Sequence, residues 1–115
     1  MYKKIDILGI TYKLYYKTRE EDERLEHADG YTDDYLKKIV ISKKEDFNNR
    51  WDQKSIKIYQ NKVLRHEIIH AFLYESGLDC NTNKSISWAE NEEMVDWFAI
   101  QSPKLLKIYK DLDIL

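Results

Sequence analysis

The chain is short of most residues that punctuate or staple a fold. Among 115 residues there are one cysteine, one proline and three glycines. A lone Cys80 excludes an intrachain disulfide and points to a reducing, cytoplasmic setting. So few prolines and glycines leave no Pro- or Gly-rich linker, low-complexity tract or repeat. Apolar runs such as Ala71 to Tyr74 fall far short of the ~20 residues that span a bilayer, so no membrane partner is expected. The start, Met1-Tyr2-Lys3-Lys4-Ile5-Asp6, has charge but no apolar signal-peptide core. Neither charge dominates: 19 basic and 21 acidic residues give a net charge of −2, which argues against a general nucleic-acid binder.

What is present is the balance of a soluble globular protein, 43% apolar and 35% charged. The length supports one domain, residues 1–115. Ile5 and Ile7 alternate with Lys4 and Asp6, and Tyr12, Leu14 and Tyr16 alternate with Lys13, Tyr15 and Lys17. Period two predicts two strands in an antiparallel hairpin, with Gly9 at the turn or a bulge. Ile39-Val40-Ile41 reads as a third strand, and as an edge to which an extended peptide could add. The run Glu20-Glu21-Asp22-Glu23-Arg24 reads as a solvated acidic loop or helix start. Asp29-Gly30 and Thr32-Asp33-Asp34 read as turns, and Leu78 to Ser85 as a polar loop.

From Gln53 the period becomes helical: Ile56, Tyr59, Val63, His66, Ile69 or His70, and Leu73 recur at three- and four-residue steps, with Gly77 as the stop. Ser87-Trp88-Ala89-Glu90 matches a capping box and predicts a second helix from Trp88 to Gln101. Ser102-Pro103 should end it and begin a short third helix with an apolar face at Leu105, Leu106 and Leu112. The expected fold is therefore α+β, a small three-stranded antiparallel or mixed sheet packed on two long helices, with a short C-terminal helix.

The first helix carries His66-Glu67-Ile68-Ile69-His70. Histidines at i and i+4 share one face and can reach one Zn²⁺ at about 2.0–2.1 Å. Glu67 is angularly offset, placed to act on a water rather than to bind the metal. The plain alternative is a helix with two partly buried, hydrogen-bonded histidines. A zinc site needs a third protein ligand, and Asn91-Glu92-Glu93-Met94-Val95-Asp96 offers carboxylates. Glu92 and Asp96 share a face, so Glu92 can bind metal while Asp96 orients a histidine ring; Glu93 is the next candidate. Tyr74 and Tyr31, with His27, are candidates for a donor to a developing oxyanion. Trp97, beside Asp96, is placed to shape the floor of the site.

These residues resemble the gluzincin metallopeptidases, with HExxH on one helix and a Glu-x-x-x-Asp pair on the next. Glu92 to Ala99 is similar to the ImmA/IrrE-type domain, especially its small stand-alone phage and prophage versions. The resemblance covers about residues 37–103. It implies a minimal zincin-like fold and a zinc-dependent endopeptidase acting on a protein or peptide, with a repressor as one substrate class. It implies His66, His70 and Glu92 as ligands, Glu67 as general base and Asp96 as the histidine's partner. A catalytically silent zinc-binding interaction module on the same fold is the alternative, and intact Glu67 favours the enzyme. A reading based on nucleic acid, through Lys13, Tyr15 and Lys17, is disfavoured by the balanced charge.

Overall fold

The alternation at the N-terminus produces the expected hairpin in the computed structural model, which describes residues 1–47, 51–79 and 87–115. Strand β1 (Lys3–Ile7) pairs antiparallel with β2 (Ile10–Lys17). Leu8 and Gly9 both take positive φ, 52° and 88°, the two-residue turn whose twist matches flanking strands. Strand β3 (Gly30–Asp33) pairs antiparallel with β4 (Lys38–Ser42), and β4 pairs parallel with β2. The sheet is mixed and four-stranded, in the order β1-β2-β4-β3.

Two expectations need correction here. The sheet has four strands rather than three, and the extra strand is built from residues read as turns. Gly30 lies so close to the helix behind it that a Cβ would sit 2.9 Å from Val63 Cγ1 and 3.0 Å from Ile41 Cδ1. Thr32 and Asp33 find tertiary partners, Glu67 and Arg24 respectively. Packing, not propensity, extends this segment. Second, Ile39-Val40-Ile41 is not an edge. It is flanked on both sides and fully buried, and the edges are β1 and β3.

Helix α1 (Gln53–Glu75) starts at Asp52, whose side chain accepts from the Ser55 N–H. It buries Ile56, Gln60, Val63, Glu67, His70 and Ala71, one stripe at helical steps. It ends as expected: Gly77 has φ 77°, and the N–H groups of Gly77 and Leu78 bond the carbonyls of Tyr74 and Leu73. Val63 and Ala71 join Ile7, Tyr12, Leu14, Ile39 and Ile41 in the core. The expected polar loop beyond Asp79, with Cys80, lies outside the described residues.

The capping box does not form. Trp88–Glu90 is a single 3-10 turn, Ser87 makes no side-chain capping bond, and Asn91 caps helix α2 (Glu92–Asp111) by accepting from the Met94 N–H at 2.9 Å. Glu90 instead accepts from Tyr74 on α1. Nor does α2 stop at Ser102. It runs through Pro103, so no separate C-terminal helix exists among the described residues. Proline has no N–H for the carbonyl four residues back, which is that of Ala99. Arg65 on α1 supplies the missing donor, its Nε lying 2.6 Å from the Ala99 oxygen. No described helix is long and apolar enough to cross a membrane.

Two outcomes follow from these contacts. Arg65→Met leaves the Ala99 carbonyl unpaired and should cost about 1–3 kcal/mol by urea denaturation. In a Pro103→Ala background, where the backbone N–H returns, most of that cost should vanish; strict additivity would contradict the account. Glu75 accepts from Lys37 Nζ and from the Tyr12 hydroxyl, each at 2.6 Å. Lys37, then Tyr12, hold its carboxyl below the ordinary value of 4.5. The carboxylate's contribution is therefore complete above that value and is lost as pH falls below it. Glu75→Gln should cost about 1 kcal/mol near neutral pH, Lys37 being partly exposed, and nothing in strong acid. A cost that persists in acid would contradict the pairing.

Candidate metal centre

One turn of α1 and the first turn of α2 face each other. The i, i+4 spacing sets His66 and His70 side by side, ring centroids 4.8 Å apart. Asn91 starts α2 at the level of His70, which swings Glu92 between the two rings. His66 Nε2, His70 Nε2 and Glu92 Oε1 form a triangle with edges of 3.1, 3.3 and 2.6 Å. These three residues can hold a metal ion, since each offers one ligand atom to a common point. Ligand atoms about 2.0–2.1 Å from a tetrahedral ion lie about 3.3 Å apart; the two edges at His66 match that spacing, and the His70–Glu92 edge is shorter, at hydrogen-bond length.

The far sides of the rings decide what the near sides can do. His70 Nδ1 is 2.7 Å from the Ala89 carbonyl oxygen, which can only accept. Nδ1 therefore carries the proton, and Nε2 presents a lone pair. His66 Nδ1 is 3.1 Å from Asp96 Oδ1, which also receives Lys62 Nζ at 2.6 Å. Lys62, with His66, keeps the Asp96 carboxyl below its ordinary range, so it too acts as acceptor. Both Nε2 atoms and Glu92 Oε1 thus converge on one point, and in the neutral rings the lone pairs that would bind a cation face it.

Glu67 is buried, and its Oε1 accepts from Thr32 Oγ1 at 2.8 Å. Burial raises its pKa above the usual carboxylate value, against the opposing pull of the Thr32 hydroxyl and the histidines. Glu92 has 74% of its side chain exposed, so one side of the triangle is open. Two depressions, of about 190 and 290 Å³, flank it. Both are lined by Ala28, Gly30, Glu67 and Glu92; the first adds Lys62, His66 and Asp96, the second Tyr31, Thr32, His70, Tyr74 and Glu90.

The expected site residues thus divide. His66, His70, Glu67, Glu92 and Asp96 come together, with Glu92 rather than the exposed Glu93 turned to the histidines. Tyr74 and Tyr31 line the second depression, but each hydroxyl proton is committed to a carboxylate, at 2.5 Å to Glu90 and 2.5 Å to Asp22. Burial and those carboxylates push both phenols up, so both stay protonated. His27 is exposed and lines neither depression. Trp97 does not form the floor; it is half exposed and packs edge-on against Phe98. Sequence reading missed Lys62, Thr32, Glu90 and the Ala89 carbonyl. Lys62 was detectable, being four residues before His66 on the same helix face. Thr32 was not, because its role depends on β3.

No family model, curated protein or solved structure matches this chain.

The site makes a direct prediction. Purified protein should bind one divalent metal ion per chain, and His66→Ala or Glu92→Gln should abolish tight binding. Asp96→Ala should weaken it about 10–100-fold, whereas Glu67→Gln should leave it intact. Full retention of metal by Glu92→Gln would assign the third ligand elsewhere.

Proposed function

We propose that this protein is a zinc-dependent metallopeptidase of the gluzincin type, resembling the ImmA/IrrE-like domain, that hydrolyses an internal peptide bond in a protein or peptide. The observation that carries the reading is the triangle of lone pairs beside a buried, uncoordinated glutamate. A purely structural zinc site closes its fourth position and has no use for such a base. Zinc bound there supplies Lewis acidity, which acidifies a water to a pKa near ~7 and polarises a carbonyl.

The chain's own residues do the rest. Glu67 receives the water proton and passes it to the leaving amine; its raised pKa suits transfer in both directions. Thr32 holds the carboxylate in place. Asp96, and Ala89 through its carbonyl, fix the rings so that both Nε2 atoms face the metal.

Edge strand β3 offers a way to hold the substrate. The Ser42 N–H bonds the Asp29 carbonyl, which makes that pair a hydrogen-bonded one in the ladder. Alternation then makes Tyr31–Val40 and Asp33–Lys38 bonded pairs, leaving the N–H and C=O of Gly30 and Thr32 directed at the open edge. An extended peptide pairing with them would cross the depressions that Gly30 and Glu67 line. With shallow depressions, selectivity falls to that edge and to docking outside it. A regulator of a mobile element, such as a repressor, is the substrate class that the family resemblance favours.

The test is expression of the intact and Glu67→Gln forms in the same cells, followed by proteome-wide detection of new peptide ends. New ends should appear only with the intact form. Equal cleavage by Glu67→Gln, with its metal retained, would refute the mechanism.

A further inference from the structure

The lysines and tyrosines of the hairpin play no part in the metal centre, yet the sheet gathers them on one surface. Ile5, Ile7, Tyr12, Leu14, Ile39 and Ile41 point toward α1. By the two-residue alternation, Lys4, Lys13, Tyr15, Lys17 and Lys38 point the other way. Register aligns Lys4 with Lys13 and Lys13 with Lys38, so three lysines stand in a row across three adjacent strands. Like charges directly opposite one another destabilise a sheet. Among the described residues, none of Lys4, Lys13, Lys17 and Lys38 pairs with a carboxylate within 4.0 Å. Three acids lie near: Asp6 shares the outer face of β1 with Lys4, Asp33 is opposite Lys38 and bonded to Arg24, and Asp22, bonded to Tyr31, is within electrostatic reach of Lys17 and Lys38.

Next to this row lie Tyr2 and Tyr15, ring centroids 5.5 Å apart. Lys13 Nζ rests over the Tyr2 ring at 4.8 Å, and Lys17 Nζ over the Tyr15 ring at 4.9 Å. With no carboxylate within 4.0 Å, these ammonium groups lie on aromatic faces, an interaction worth little outside a desolvated site. A phosphate would draw the lysines off and bare the rings for a base.

We propose that the outer face of β1 and β2, bordered by Lys38 at the start of β4, binds single-stranded nucleic acid, with Lys4, Lys13, Lys17 and Lys38 on phosphates and Tyr2 and Tyr15 stacking on bases. Lysines alone would suit any polyanion. The paired tyrosines, Tyr2 exposed and Tyr15 half-buried beside the hairpin lysines, are what favour a nucleic acid over an acidic protein. The net charge of −2 hides this surface because it averages two separate regions. The carboxylates of Glu67, Glu90, Glu92 and Asp96 gather around the metal centre, beside β3, at the end of the sheet remote from β1. The proposal is independent of peptidase activity.

The test uses the full chain and a fluorescein-labelled oligothymidylate of about 16 nucleotides, read by anisotropy. Saturable binding in the micromolar range is expected at about 50 mM salt, with log K falling against log salt at a slope of about −3 for four lysines. Lys13→Glu/Lys38→Glu should lose at least about tenfold in affinity and roughly halve the slope. Tyr15→Ser should lose at least about fivefold with the slope unchanged. If the charge reversals prevent folding by circular dichroism, Lys13→Gln/Lys38→Gln carries the same expectation. Three results would overturn the proposal: no saturable binding at low salt, binding insensitive to these variants, or displacement by polyglutamate as effective as displacement by unlabelled oligonucleotide. The last would identify the face as a contact for an acidic protein.

Discussion

Two hydrogen bonds on the far sides of the imidazoles organise the centre of this molecule. His70 Nδ1 donates to the Ala89 carbonyl and His66 Nδ1 to Asp96. Each fixes a tautomer as well as a ring angle, and so commits both Nε2 lone pairs to one point in space. Both acceptors belong to the segment that runs from the Trp88–Glu90 turn into α2. The rings therefore cannot be set correctly unless that segment is docked on α1. Helix–helix packing and ligand geometry are one requirement, and Glu92 is delivered by the same docking.

The contacts that secure the docking are polar and spaced along α1. Tyr74 holds Glu90 at one end, Lys62 holds Asp96 beside the histidines, and Arg65 serves the carbonyl that Pro103 leaves bare. Only Val95 and Ala99 of α2 are buried as apolar groups, so these bonds set the register of the two helices. On the other flank, Gly30 lets β3 approach α1 closely enough for Thr32 to reach Glu67. Glu67 is thus positioned by the sheet and the His66, His70 and Glu92 triangle by the helices, and α1 is common to both.

What could be read directly from the sequence was whatever depends on local periodicity. The hairpin, the long first helix, its Gly77 stop and the spacing of His66 and His70 all follow from patterns within a few residues. Glu92 was reachable because its relation to Asp96 and Val95 is also local. The features that escaped share one cause: a tertiary partner replaced a local one. Gly30 to Asp33 extend because α1 presses on the glycine. Ser87 is not the cap of α2 because Glu90 is drawn to Tyr74 and Asn91 takes over. Pro103 does not end α2 because an arginine thirty-four residues before Ala99 supplies that carbonyl's lost donor. The balanced net charge was equally uninformative, since it summed an acidic centre and a row of lysines that the sheet keeps apart.

Two imidazoles and one carboxylate are expected to surround a single ion. Zinc K-edge X-ray absorption on the loaded protein tests this expectation most directly. The predicted spectrum has nitrogen and oxygen neighbours at about 2.0–2.1 Å with the outer-shell pattern of two imidazole rings. A sulfur neighbour at about 2.3 Å, which would implicate Cys80, or a first shell without imidazole scattering, would contradict it.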